Sequence, residues 1–453
     1  LTLQGDSNAD TQRLVLRSSV SGGAATGREW GLTLAVGGAQ NIRYVDVSDS
    51  NANAGISLVG RDSRDGGNNT KWVFGIPTVD WTGTVSSDWD DPYNWDLGFV
   101  PFTGDNVTIS PPSDPTRQPQ LSTDVAPGTL TLEATTTLTL DGHGLTVPGA
   151  FENLGTIVLK GSESVNITTP DTNTGTFTYI GDGLGGSILF TTGTRPSVFF
   201  NLVFKDTNAA DTFTTDKDIT VYGDLSLDAT NTAAVNAGSN SIDLRGAFDL
   251  GAGTFTAPGS GEAFTVGGNW TGQTPNSGFV HNNGRVTLNT TTAAAVSGNT
   301  TFYDFYADAP DGKAITFTAG SAQTVVNDFN FLGGRGNPIL LRSSVDGQKW
   351  TLNIDKGYQV VGYLDIKDSI AVVAGAPDYL LTLNSTDQKD GNGVSTNTGW
   401  RFSNLLILTP LNARTVGITP VVVGQGVPDA PVTIKDAGND VVATANVDVN
   451  GNF

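Results

Sequence analysis

Cysteine and methionine are both missing from this 453-residue chain. Without cysteine there are no disulfide staples and no thiol chemistry, so stability has to come from packing and backbone pairing. The absence of methionine is what a processed or internal segment of a longer polypeptide would show. Charged residues make up only 15% of the chain and hydrophobic residues 37%. No apolar run reaches the ~18 residues of a membrane span, and nothing reads as a long amphipathic helix. No signal-peptide pattern is present either, which puts any export signal or anchor outside these residues. Positive charge is scarce, with 24 Lys and Arg against 45 Asp and Glu and a net charge of −21. Phosphates are bound by basic surfaces, so this balance disfavours nucleic acid, and it disfavours anionic membranes too. Divalent cations are the natural partners of such a surface, although the charge also serves simply to keep an exported protein soluble. An acidic chain without cysteine suits an extracellular or cell-surface location.

What the chain does have is glycine, 57 residues of it, among abundant Thr, Ser, Asn and Asp. That mixture is poor for helices and good for many short strands joined by tight turns. The length allows two to four domains with ample core.

One block is written twice. Residues 17–74, with Leu16 before them, contain LRSSV, REWGLTL, RYVDVSDS, DSRDGGNN and KWVF, and from Ile339 the order returns as LRSSV, QKWTLNI, GYLDIKDS, STDQKDGNG and GWRF. Arg342 minus Arg17 is 325, Tyr363 minus Tyr44 is 319, and Trp400 minus Trp72 is 328. A unit of about this length therefore recurs. Residues 1–76 read as the final coils of one unit, and the chain as a segment of a repeating polypeptide. Residues 77–128 are rich in Trp, Gly, Pro and Asp and read as a cap or entry segment, with Trp81, Trp89, Trp95 and Phe99 covering apolar surface. Ligand binding by these rings is the sharper alternative, but aromatics are more often core.

Residues 129–402 settle into apolar pairs one residue apart, such as Leu130/Leu132, Leu138/Leu140, Leu145/Val147, Ile157/Leu159 and Val165/Ile167. Such alternation marks strands with one buried face. Ile219/Val221, Ile242/Leu244, Phe264/Val266 and Val286/Leu288 then follow at steps of 23, 22 and 22 residues. A constant step of this size is one coil of a parallel β-solenoid, three short strands and three turns, with like side chains above like. A shorter repeat is nested inside. FFNLVF at Phe199 and TVYGDLSL at Thr220 return as FYDFYA at Phe302 and TVVNDFNF at Thr324, offsets of 103 and 104. Growth by duplication of a stacking element should give a rod.

The blocks WTGTVSSDWDDPYNW, GGNWTG with HNNGRVTL after it, LRSSV, YVDVSDS and W-x-F resemble the parallel β-helix regions of giant bacterial surface proteins, of the filamentous-haemagglutinin and autotransporter kind. The stretch VVVGQGVPDAPVTIKDAGNDVVATANVDVNGNF resembles the first half of bacterial immunoglobulin-like repeats. The resemblance implies an all-β chain: a right-handed parallel β-helix, or solenoid, with a partial immunoglobulin-like β-domain over residues 403–453. It also implies a structural surface protein, working in a filament, sheath, surface layer or adhesive stalk. Its partners would be other copies of itself and surface glycans. A carbohydrate-binding or carbohydrate-cleaving β-helix is the alternative.

No reaction can be read from the residues. Polygalacturonases, which share the β-helix, carry paired aspartates and Gly-His-Gly. Here Asp90 and Asp91 precede Gly142, His143 and Gly144, but no Arg-x-Lys follows the histidine and no Asn-Thr-Asp precedes the aspartates. The reading is therefore not an enzyme, with His143 and His281 as turn residues. Hard oxygen ligands suggest calcium as cofactor. Asp62, Asp65, Asn68 and Asn69 in DSRDGGNN are matched in the second copy by Asp387, Asp390 and Asn392. A plain Asp-Gly turn is the competing reading. Asp46/Asp49 and Asp365/Asp368 recur with the same ambiguity, and Arg17 and Arg342 are expected to pair with a carboxylate along the stack.

Overall fold

The computed structural model describes residues 1–20, 28–206, 211–230, 233–275, 278–290, 293–309, 311–356, 359–375, 378–403, 405–407, 424–426, 431–435, 441–446 and 448. They fall into two compact units. One is Leu1–Lys217 with Val221–Gly223, the other Asp218–Thr220 with Asp224–Phe453. Both are parallel β-solenoids. Among the described residues the helical content is one 3-10 turn, Pro92–Asn94.

The first unit contains two stacks of coils. In the earlier stack, Thr2–Gln4, Asn41–Arg43, Leu58–Arg61 and Trp72–Val73 pair in parallel along one face. Leu14–Leu16, Val45–Val47 and Arg64–Asp65 form the second face, and Trp30–Gly31 with Ser50–Asn51 the third. Ile42, Val45, Val47, Ala52 and Leu58 fill the interior, with Leu3, Leu16, Trp30, Trp72 and Phe74 packed against them.

The later stack starts at Thr78–Trp81, which pairs in parallel with Asn106–Ile109, then Thr129–Leu132, then Phe151–Asn153. On another face Leu138, Ile157, Phe177 and Leu202 stand in register. Each ladder position is apolar because it lies over another apolar side chain, and burying one such residue contributes about 1.5–3 kcal/mol. A slip of one residue would turn every side chain to the wrong face. The apolar pairs of the sequence are thus the inward positions of successive coils.

The tryptophan-rich segment supplies the first strand of its sheet, and Trp81, Trp89 and Trp95 are all buried. Trp95 packs edge-on against Trp81 at 5.0 Å and Trp89 at 4.7 Å, and its indole N–H donates to the Trp89 carbonyl at 2.8 Å. These rings are core. The residues that follow them meet the earlier stack: the Gln40 side chain donates to the carbonyls of Ser57 and Leu97. Arg61 forms a two-armed ion pair with the buried carboxylate of Asp105, one arm at 2.8 Å. Its guanidinium lies over the rings of Phe99 and Phe102.

In the second unit the 22-residue step appears as a ladder. Ile242 pairs with Phe264 and then Val286, and Leu244 with Val266 and then Leu288. A second face runs from Leu225–Leu227 through Phe248–Asp249, Trp270–Thr271, Ala293–Ser297, Lys313–Phe317, Ile339–Ser343 and Leu364–Ile366 to Thr386–Asp387. Aromatic rings touch one another in this interior from Phe248, 4.6 Å from Trp270, to Phe331, and a separate pair has Phe317 stacked on Trp350 at 3.7 Å. Parallel pairing along these ladders excludes separate antiparallel sandwiches between residues 129 and 403 among the described residues.

The nested repeat does not fold the same way twice. FFNLVF is broken into Val198–Phe199 and Asn201–Phe204, and TVYGDLSL into Ile219–Val221 and Leu225–Leu227. Their counterparts run straight through, as Thr300–Ala309 and Ala322–Gly333. At the earlier corner Gly223 sits against Asn201, where a Cβ would stand 2.2 Å from the amide oxygen. The later copy has Asn327 at that position, and Val326 and Asn327 together stand opposite the single residue Tyr303.

Within residues 403–453, Leu405–Ile407 pairs antiparallel with Gly424–Gly426, and Pro431–Lys435 with Val441–Asn446. The remainder of the expected immunoglobulin-like stretch lies outside the described residues.

Candidate functional site

The expected ligands are held in turns. Asp62 adopts a left-handed backbone, φ +48, and its carboxylate pairs with Arg43 at 2.9 Å. Asp65 accepts from the Gly67 N–H at 2.9 Å and from the Asn69 amide at 2.6 Å. Asn68 donates to Asp49 at 3.0 Å. In the second copy Asp387 accepts from Ser395 and from the Asn397 amide, each at 2.8 Å. Asp390 accepts from the N–H groups of Asn392 and Val394, and these donors hold its carboxyl below the usual range.

This geometry realigns the two copies. The Asn69 amide oxygen takes the Ser50 N–H, and its nitrogen donates to the Val47 carbonyl and to Asp65. Asn397 does the same with Ser369, Ile366 and Asp387. The structural counterpart of Asp65 is therefore Asp387, not Asp390. Asp62 corresponds to Asn384, whose φ is +49, because the next residue in each copy, Ser63 or Ser385, makes the same two bonds. Its hydroxyl accepts the Val45 or Leu364 N–H and donates to the Arg61 or Leu383 carbonyl. Asp390 and Asn392 belong to a small hairpin, bridged between Lys389 and Ser395, that the first copy lacks.

A cation cage fits these residues poorly. N–H and O–H donors converge on the carboxylates where a cation needs acceptors, and among the described residues no three His, Cys, Asp or Glu side chains come together as a metal-binding group. The expected arginine pairing is present in both copies: Arg17 meets Asp46 and Arg342 meets Asp365, each at 3.0 Å.

The residues weighed for acid catalysis are likewise employed structurally. Asp91 caps the 3-10 turn through the Tyr93 N–H, while Asp90 accepts from Ser122 and Thr123. His143 shares a shallow cavity of about 340 Å³ with Asp88 and Asp141, but Asp141 is bound by Lys160 at 2.6 Å and held below its usual pKa by that contact. A larger cavity, about 670 Å³, is lined by Arg43, Arg61, Asp62, Phe102 and Asp105. Its charges are already satisfied by the Arg43–Asp62 and Arg61–Asp105 pairs.

One concave feature was not expected. A cavity of about 360 Å³ opens beside the bulge of the second unit, lined by Glu262, Asn283, Arg285, Tyr303, Asp304 and Asn327 among others. The signal for it lay in the nested repeat, at the positions where the second copy departs from the first.

No protein-family model matches the sequence, and neither the curated proteins nor the solved structures compared with it give a significant match.

Proposed function

We propose that the chain is a structural protein of the cell exterior, a repeat module of a filament, sheath, surface layer or adhesive stalk. The observation that carries this reading is that one coil is built twice by the same bonds. The Arg17–Asp46 and Arg342–Asp365 pairs, the Asn69 and Asn397 latches and the Ser63 and Ser385 turns recur with equivalent partners. Duplicated architecture of this kind extends by adding coils, each burying the edge of the last. The acidic surface and the absence of cysteine agree with an exterior location.

Assembly would run through contacts between copies. Residues 416–453, if they form half of an immunoglobulin-like domain, would offer strand edges for a neighbouring chain to complete. Electron micrographs of the native material should then show head-to-tail continuity, whereas a preparation that sediments only as monodisperse monomers counts against the reading. Calcium enters only as an ion shared between carboxylates, and an unchanged melting temperature on chelation would remove it. Carbohydrate binding is the second reading, and the cavity beside the bulge favours it.

A further inference from the structure

The outer face of the second unit carries a group of side chains that neither packing nor strand pairing requires. Ala263, Arg285, Asp304 and Asp328 occupy equivalent ladder positions on four successive coils. Inward, Phe302 and Phe305 stack at 4.0 Å, and between them Tyr303 and Asp304 are both half-exposed on the outside, opposite the bulge of the next coil. The Tyr303 ring lies beside the His281 imidazole, centroids 5.5 Å apart. Its hydroxyl has no hydrogen-bond partner among the described residues. Arg285 is exposed, sits 4.3 Å over the Tyr306 ring, and makes no ion pair among the described residues, even with acids nearby.

The polar groups around it are fixed in place. Asn327 donates to Asp304 at 2.7 Å and accepts from Lys356 at 2.7 Å. The Tyr306 hydroxyl donates to Asp328, and burial together with that contact pushes its pKa up to about 12. Glu262 is anchored by Ser241 at 2.8 Å. The wall of the cavity thus combines one available aromatic ring, one available guanidinium and a rim of oriented carboxylate and amide groups.

We propose that this cavity is a saccharide-binding site, taking a neutral hexose unit of a glycan. The C–H face of a pyranose ring is apolar and weakly positive, and it stacks on the negative face of an aromatic ring such as Tyr303. Vicinal hydroxyls need donors and acceptors side by side, which Arg285, Asp304, Asn327 and Glu262 supply in a pre-organised set. Charge decides for a neutral sugar. Glu262, Asp304 and Asp328 outnumber Arg285 and Lys356 locally, and the whole chain carries −21, so a uronate polymer would be repelled. The bulge lies beside the site: Val326 and Asn327 together face Tyr303, and the Asn327 amide reaches Asp304.

The site stands independently of the assembly reading. The full chain should be titrated with trisaccharides of glucose, mannose, galactose and N-acetylglucosamine, and with tri-galacturonate, by ligand-observed saturation-transfer NMR. At least one neutral trisaccharide should bind in the millimolar range. Tyr303→Ala should weaken it at least tenfold while Tyr303→Phe, which keeps the ring, stays within about threefold, with the circular dichroism and melting temperature of both variants unchanged. Absence of binding to every neutral probe, preference for tri-galacturonate, or undiminished binding by a folded Tyr303→Ala protein would each overturn the proposal. Should Tyr303→Ala fail to fold, Arg285→Ala on the exposed rim gives the same reading. None of these outcomes bears on whether copies of the chain assemble end to end.

Discussion

At Ser63 and Ser385 the chain turns with the same pair of hydrogen bonds, yet two residues earlier one copy carries Arg61 and the other Leu383. The shared residues are those that shape a coil: the arginine–aspartate pair, the left-handed residue before the serine, the asparagine latch, and the tryptophan whose indole N–H reaches Ser50 or Ser369. The residues that differ are those that meet something outside the coil. Arg61 reaches across to Asp105 and the tryptophan-rich segment, whereas Leu383 is simply buried. Between Asp65 and Asn69 the first copy spends three residues; between Asp387 and Asn397 the second spends nine. Duplication has preserved the bonds that make the repeat unit and released the positions that set its surroundings.

The sharpest way to break this comparison is to import one copy's residue into the other. Arg61→Leu leaves the Asp105 carboxylate buried without its partner and should cost about 3–5 kcal/mol. The loss should appear as rapid amide exchange around residues 40–61 and 97–105, the two sides of the junction, since solenoids can open locally. A variant as stable as the parent would mean the junction is held by the aromatic contacts alone.

A smaller effect tests what the copies share. Asn69→Ala and Asn397→Ala each strip a serine N–H of its partner and a strand carbonyl of one of its two donors, for about 1–3 kcal/mol apiece. If the latches are equivalent, the two losses agree within experimental error, and a loss in one copy only would undo the structural alignment.

The smallest effect concerns the extra hairpin. Turn N–H groups hold Asp390 below the ordinary carboxylate range, so the fold favours its ionised form. The stabilisation is complete above the ordinary aspartate pKa and disappears as pH falls through the lowered one. Exchange at the Asn392 and Val394 amides should therefore quicken in strong acid. Asp390→Asn should abolish that pH dependence.

The ladders were legible from the sequence because a coil that repeats every 22 residues forces apolar pairs into the same step, and Ile242, Phe264 and Val286 stand in register as that step requires. The arginine pairing was legible too, since Arg17 and Arg342 recur with Asp46 and Asp365. The alignment of the acidic turns was not. DSRDGGNN and STDQKDGNG look superimposable as strings, and only the hydrogen bonds of Asn69 and Asn397 reveal that a hairpin has been inserted. The tryptophans of residues 77–128 were read as rings covering apolar surface and as core before ligand site; that they pack on one another was not legible. The cavity around Tyr303 was not read for a different reason: it lies beside a register shift in which two residues, Val326 and Asn327, face the single Tyr303, and no hydrophobic pattern records that.

A latch that closes equally well over three residues or nine leaves the core with no means of measuring what lies between its jaws. The gap from Asp387 to Asn397 is in this sense an unguarded doorway, through which new chain can enter without disturbing the coils above or below. Lineages that need a fresh surface epitope, or experimenters who want one displayed at fixed intervals along a stack, have the insertion point already made.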